Sequence, residues 1–183
     1  MTPYCISKLD QELLVLNHGR QTGLETVALR YFLTYGPRQS RFNPYTGVIA
    51  IFVTRALEGR PIIIFEDGEQ QRDFIHAKDV ARANVIALMH PDAPGHVFNV
   101  GTGQGTTIAT VATQIHQRLS PNAPKPITDG SFRPGDARHL VADTSALRAL
   151  GWRPSASFHV GLAETLDWMV EAGRVTDRLD DAL

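Results

Sequence analysis

The feature that most constrains this chain is its alternation of helix-like and strand-like stretches, opened by a helix and not by a strand. Thr2 can cap that helix through its hydroxyl, and Pro3 suits the first helical position, where no backbone N–H is needed. Leu9, Leu13 and Leu16 recur at helical spacing as inward positions, and Gly19 and Gly23 end the helix. The stretch from Thr26 to Thr34 then reads as one apolar run around Arg30, bounded by Gly36-Pro37, and suits a buried parallel strand. Helices alternating with such strands favour an α/β sheet. A doubly wound sheet begins on a strand and a glycine-rich turn, so the opening unit reads as the later part of a larger arrangement.

A turn-rich loop follows from Gly36 to Gly47, then a helix through Leu57 and a short strand from Pro61 to Phe65 closed by Asp67-Gly68. Arg72 to His76 reads as a strand, Asp79 to Met89 as a helix with Val80, Ala83 and Ala87 inward, and His96 to Val100 as a strand. Thr107 to Leu119 is expected as a helix. After Pro121 to Pro126 a loop runs to Asp143, which can cap a short helix to Leu150. The last helix starts near Ser157 and presents Leu162, Leu166, Met169 and Val170, and the tail 177–183 reads as solvated.

Composition narrows the function classes. With 183 residues, 43% hydrophobic, the chain can bury a core. Its formal net charge of -1 argues against nucleic-acid binding by bulk electrostatics. The longest apolar runs, Val48 to Val53 and Ile62 to Phe65, are too short for a membrane span. The first residues lack a basic and apolar secretory leader. A lone Cys5 allows no internal disulfide and fits a reducing, cytoplasmic compartment.

Among candidate chemical groups, Tyr4 and Lys8 sit four apart on the first helix, hence on one face. An ammonium beside a phenol favours the phenolate, and such a phenol can exchange a proton with a sugar hydroxyl during hydride transfer. Alone, the pair equally suits a solvated helix face. Gly101-Thr102-Gly103-Gln104-Gly105-Thr106 imitates a dinucleotide-binding loop, but its third glycine comes one position early and Thr106 stands where Gly or Ala is needed. A tight turn into a helix explains it better. Arg72-Asp73 and Arg133-Pro134-Gly135-Asp136, with Arg138 nearby, offer guanidinium forks suited to diphosphate oxygens, or plain surface charge. The histidines and the single cysteine show no metal-ligand spacing, so no metal is expected.

Taken in order, several segments resemble the NAD-dependent epimerase/dehydratase family, the extended short-chain dehydrogenases/reductases that act on nucleotide sugars. They are Pro3-Tyr4-Cys5-Ile6-Ser7-Lys8; Leu29-Arg30-Tyr31-Phe32-Leu33-Thr34-Tyr35-Gly36-Pro37-Arg38-Gln39; and Asp67-Gly68-Glu69-Gln70-Gln71-Arg72-Asp73-Phe74-Ile75-His76 with Asp79-Val80-Ala81. Further on come Phe98-Asn99-Val100-Gly101-Thr102-Gly103, Arg133-Pro134-Gly135-Asp136, and Leu150-Gly151-Trp152-Arg153-Pro154 with Gly161-Leu162. The stretch 41–47 is similar to that of members acting as UDP-glucose or dTDP-rhamnose 4-epimerases.

The resemblance implies an α/β fold: the C-terminal part of a Rossmann-type parallel sheet plus a small α/β substrate-binding lobe. Residues 1–40 would hold the last Rossmann elements with the Tyr4–Lys8 helix, and 41–176 mainly the sugar-nucleotide lobe with returning Rossmann elements. It implies Tyr4 as catalytic acid/base and Lys8 as its partner on the nicotinamide ribose, with Phe32 against the cofactor NAD. Val48 would open the helix that touches the base, and Arg72, Arg133 and Asp136 would meet the diphosphate and ribose. Leu33 stands where the family usually has Asn, a donor near the substrate. The implied reaction is oxidation and re-reduction at sugar C4 of a UDP- or dTDP-linked sugar. The family's glycine-rich NAD loop has no counterpart upstream of Tyr4, so the chain alone is expected to be inactive. The alternatives are a non-catalytic nucleotide-sugar binder or partner subunit, and a 4,6-dehydratase portion. The edge of the 26–34 strand and the bare face of the first helix imply a partner: a second copy or a complementing N-terminal half.

Overall fold

The computed structural model describes residues 2–40, 47–132 and 134–180, with side chains described as far as residue 172. The chain begins on helix α1, Pro3–Thr22. Thr2 is its N-cap, with the hydroxyl accepting from Cys5 N, and Gly23 closes it at φ 76°, a left-handed turn that glycine adopts without strain. Only part of the expected inner face is buried. Leu16 and Gly19 are the buried positions of α1, while Leu9 and Leu13 are exposed.

The single strand expected from 26 to 34 is instead two: β1, Ala28–Tyr31, and β2, Leu33–Tyr35. The reason is a change of partner at Phe32. Its N–H donates to Val100 O, whereas the next N–H, Leu33, donates to Asp73 O. β1 pairs in parallel with β6 (Val97–Val100), and β2 in parallel with β5 (Phe74–His76). The expected 72–76 strand is broken the same way, into β4 (Gln71–Arg72) and β5, with Asp73 between.

Helix α2 spans Val48–Leu57 and follows β2 across the 36–47 connection, of which 41–46 lie outside the described residues. Strand β3 (Ile63–Ile64) pairs in parallel with β8 (Ile127–Thr128). Helix α3 (Ala77–Met89) buries Val80, Ala83 and Ala87, as its periodicity implies. β4 lies between β7 (Thr106–Thr107), antiparallel, and β9 (His139–Leu140), parallel. Two of these short strands, β8 and β9, fall where a loop to Asp143 is expected. Helix α4 (Ile108–Leu119) starts under Thr107, whose hydroxyl accepts from Thr110 N.

Helix α5 (Ser145–Ala149) has Thr144, not Asp143, at its N-cap. Asp143 sits one residue earlier and its carboxylate accepts from Ser145 N at 2.9 Å, an Asx-type turn that leads into the helix. Helix α6 runs Phe158–Asp180, into the stretch read as a solvated tail, and buries Leu162, Leu166 and Met169.

Two apolar clusters result. One gathers α2, α4 and α6 over β2, β3 and β5, with Ile49, Phe52, Val53, Phe74, Ile115 and Leu166 at its centre. The other packs Ile75, Val80, Phe98, Val100, Leu147 and Trp152, and Phe32 rests against it.

Candidate functional site

Helix α2 serves both the core and a cavity, and Phe52 belongs to both. Ile49, Val53 and Ala56 enter the core, while Val48, Ile51, Phe52 and Arg55, three and four residues apart, line a cavity of about 480 Å³. The opposite walls come from Leu33 at the start of β2, Ile63 and Phe65 on and after β3, Gln70 and Arg72 at β4, Ile108 of α4, and Asp136. Four residues picked from sequence, Leu33, Val48, Arg72 and Asp136, therefore meet in one cavity although they are scattered over a hundred positions.

Arg72 is held for a charged task. One guanidinium nitrogen donates to Gln71 O and Arg138 O, each at 2.9 Å, and the other lies 3.3 Å from the Asp136 carboxylate. At the cavity wall Glu66 adopts φ 54°, a left-handed backbone that costs a non-glycine residue about 1 kcal/mol. Arg138 spans Glu66 and Asp67, and its guanidinium holds the Asp67 carboxyl below the usual carboxylate range.

Tyr4, Lys8 and Phe32 are not part of this cavity. Tyr4 and Lys8 share one exposed face of α1, with the Lys8 ammonium 5.6 Å from the Tyr4 ring centroid and donating to Gln11. The start of α1 nonetheless approaches the Asp136 segment: a Cβ on Gly135 would sit 3.9 Å from the Thr2 methyl. Phe32 packs into the second cluster. Arg133 lies outside the described residues.

The glycine turn 101–106 holds an anion of the protein's own. Asp73, 1% exposed, accepts from Thr102 N at 2.7 Å and Gly103 N at 2.9 Å, and a Cβ on Gly101 would stand 2.6 Å from its carboxylate. The backbone N–H groups that could cradle a phosphate are thus spent on Asp73, which agrees with a turn and not a cofactor loop. Among the described residues no cluster of His, Cys, Asp and Glu could hold a metal ion. None of the described helices is long and apolar enough to cross a membrane.

Sequence reasoning overlooked Arg55, Phe65, Glu66 and Gln70 as cavity residues. The helical spacing from Val48 could have found Arg55. Phe65 and Glu66 carry no local signal, since a closing turn brings them there.

The model of the NAD dependent epimerase/dehydratase family matches residues 1–101. The chain belongs to this family. It is 37% identical over 169 residues to a dTDP-L-rhamnose 4-epimerase of Burkholderia thailandensis, an alignment that covers 92% of this chain and 46% of that protein. Its fold superposes on the crystal structure of UDP-glucose 4-epimerase with UDP-glucose from Thermotoga maritima with a TM-score of 0.85 and 35% identity, covering 94% of this chain and 54% of that one. The UDP-glucose 4-epimerase of Thermus thermophilus in complex with NAD gives a TM-score of 0.79 at 34% identity, over 91% and 53%. This chain spans about half the length of these relatives. The epimerase/dehydratase resemblance and the Rossmann-type α/β architecture expected from sequence are both borne out.

Proposed function

We propose that this chain forms the nucleotide-sugar-binding part of an NAD-dependent nucleotide-sugar 4-epimerase, with a UDP- or dTDP-linked sugar as ligand. The observation that carries the reading is the cavity itself, where Arg72, Asp136, Val48 and Leu33 converge. Apolar walls from Ile51, Phe52, Ile63 and Phe65 suit a flat base and a sugar face. The Arg72 fork suits diphosphate oxygens, Asp136 stands beside it, and the family resemblance assigns Arg133 to the same ligand. Residues 1–40 supply the last sheet elements with the Tyr4 helix, and 41–176 supply mainly the ligand lobe.

Tyr4 and Lys8 fit the nicotinamide end of NAD, with a phenol and an ammonium on one open helix face. When bound, NAD supplies the hydride acceptor and donor for the sugar carbon. Tyr4 Oη takes and returns the proton of the sugar hydroxyl, Lys8 orients the ribose, and Phe32 backs the cofactor. Leu33 provides no hydrogen bond, so the ligand is oriented by the remaining polar groups.

A second reading, a binder of nucleotide sugars without turnover of its own, is favoured by Asp73 filling the glycine turn. A 4,6-dehydratase role uses the same cavity. The exposed face of α1 suits a second copy or a complementing half as partner. The lone Cys5 suits a cytoplasmic setting.

Titration calorimetry of this chain with UDP and dTDP tests binding, and an assay with NAD and UDP-glucose tests turnover. Heat of binding that Arg72→Ala abolishes supports the site. No heat from either nucleotide rejects the nucleotide-sugar reading, and turnover by the chain alone rejects the second reading.

A further inference from the structure

The charged groups of the cavity are not all paired with one another. Four charged residues line it: Arg55, Glu66, Arg72 and Asp136. Arg72 is met by Asp136 at 3.3 Å, and Glu66 by Arg138 at 3.1 Å. Arg55 meets no carboxylate among the described residues. Its Nε donates to Pro61 O at 2.7 Å, a bond that orients the guanidinium and leaves Nη1 and Nη2 without a partner among the described residues.

The setting makes this cation unusual. Arg55 lies at the C-terminal end of α2 and shares the cavity with the apolar side chains of Val48, Ile51, Phe52, Ile63 and Phe65. A guanidinium beside apolar walls, without a counter-ion, gains more from an arriving anion than one already paired. Its planar fork matches two oxygens of a phosphate. Leu33, on another wall, offers no hydrogen bond, and Arg72 is already shared with Asp136. Among the described cavity residues, Arg72 by itself does not offset the negative charge of a nucleoside diphosphate.

We propose that Arg55 is a second anion-binding residue of the cavity, its free guanidinium nitrogens taking a phosphate oxygen of the nucleoside diphosphate. This rests on the nucleotide-sugar reading above and adds to it a residue that sequence motifs do not mark. Binding here involves no bond making; it replaces water on both partners by a charge-assisted hydrogen bond.

The test compares UDP with uridine on the full chain, on Arg55→Met and on Arg55→Lys, by calorimetry at low and at moderate salt. Uridine shares the base and ribose but has no phosphate. UDP affinity is expected to fall roughly tenfold or more in Arg55→Met, since hydrogen bonds to charged groups contribute about that much. The salt dependence of UDP binding should weaken in the same variant. Arg55→Lys should retain part of the affinity, and uridine binding should hold in all three, which also reports an intact cavity. Unchanged UDP binding in Arg55→Met overturns the proposal, as does an equal loss of uridine and UDP, which would make Arg55 a base or ribose contact or a structural brace. If the unsubstituted chain binds neither compound, the nucleotide-sugar reading fails. If it binds both with equal affinity, only the phosphate role fails.

Discussion

Asp73 holds Thr102 twice: one carboxylate oxygen accepts the Thr102 amide at 2.7 Å and its hydroxyl at 2.6 Å. The other oxygen accepts from Gly103 N at 2.9 Å and Ala142 N at 3.2 Å. Asp73 follows the cavity residue Arg72, and its own carbonyl pairs with Leu33 N, so one buried carboxylate ties the cavity strand to two later segments. Asp73→Ala leaves these donors without a partner and should cost about 3–5 kcal/mol. Asp73→Asn, which keeps the shape and one acceptor, should cost less. Urea denaturation followed by circular dichroism reads both, and a loss below about 1 kcal/mol for the alanine variant would remove this anchor from the account.

Glu12 receives two hydrogen bonds from Arg30, each 2.7 Å, linking α1 to β1. These bonds hold the Glu12 carboxyl below its ordinary value. A carboxyl with a lowered folded pKa stabilises the fold above its unfolded pKa, and that contribution is lost as pH falls through the folded value. Arg30 is half exposed, so screening limits the pair to about 0.5–1 kcal/mol. Glu12→Gln should therefore lose about this much at pH 7 and progressively less at acid pH, as the pH falls through the lowered value of the folded Glu12 carboxyl. The same gap at pH 7 and at acid pH would contradict an ionic origin.

Arg72 is expected to tolerate Lys poorly. The guanidinium reaches Gln71 O, Arg138 O and Asp136 together, and an ammonium cannot reproduce that fork. UDP affinity should drop by roughly tenfold in Arg72→Ala and by an intermediate factor in Arg72→Lys. Calorimetry that shows full affinity in Arg72→Lys would reduce Arg72 to a point charge.

Trp152 is fully buried and donates through Nε1 to Asp79 O at 3.1 Å. The Asp79 carboxylate in turn accepts from Ser155 N and Ala156 N, closing the turn between α5 and α6. Trp152→Phe removes both volume and donor and should cost about 1–3 kcal/mol, read as a lowered thermal midpoint.

The face of α1 carries exposed Leu13 and Leu14, 56% and 68% accessible. Apolar surface of this kind drives association. Light scattering is expected to show species larger than a monomer at high concentration, and a Leu13→Glu, Leu14→Glu double variant should return the chain to a monomer. A monomer from the unsubstituted chain would count against the partner surface.

Much of this could be read along the chain. The Thr2 cap, the Gly23 stop and the inward side of α3 follow from local rules, in which each residue's partner lies within a turn of helix. The dismissal of the 101–106 turn as a cofactor loop also came from spacing. The structure adds the reason, since Asp73 occupies it. The 26–34 run misled for the opposite cause. Its composition is continuous, but its hydrogen bonds pass from β6 to β5 at Phe32, and pairing partners 69 and 41 residues away leave no local trace.

The sequence alone determined the class of the chain: alternating elements, a familiar order of motifs, and the separate residues Arg72, Asp136, Val48 and Leu33. Tertiary structure decided which of them share a cavity, placed Tyr4 and Lys8 on a different, open face, and brought in Arg55 and Glu66 unannounced. The physical reason is range. Caps, turns and periodicity act over a few residues, whereas a binding site is assembled from groups whose proximity exists only once β4, β9 and α2 have found their neighbours.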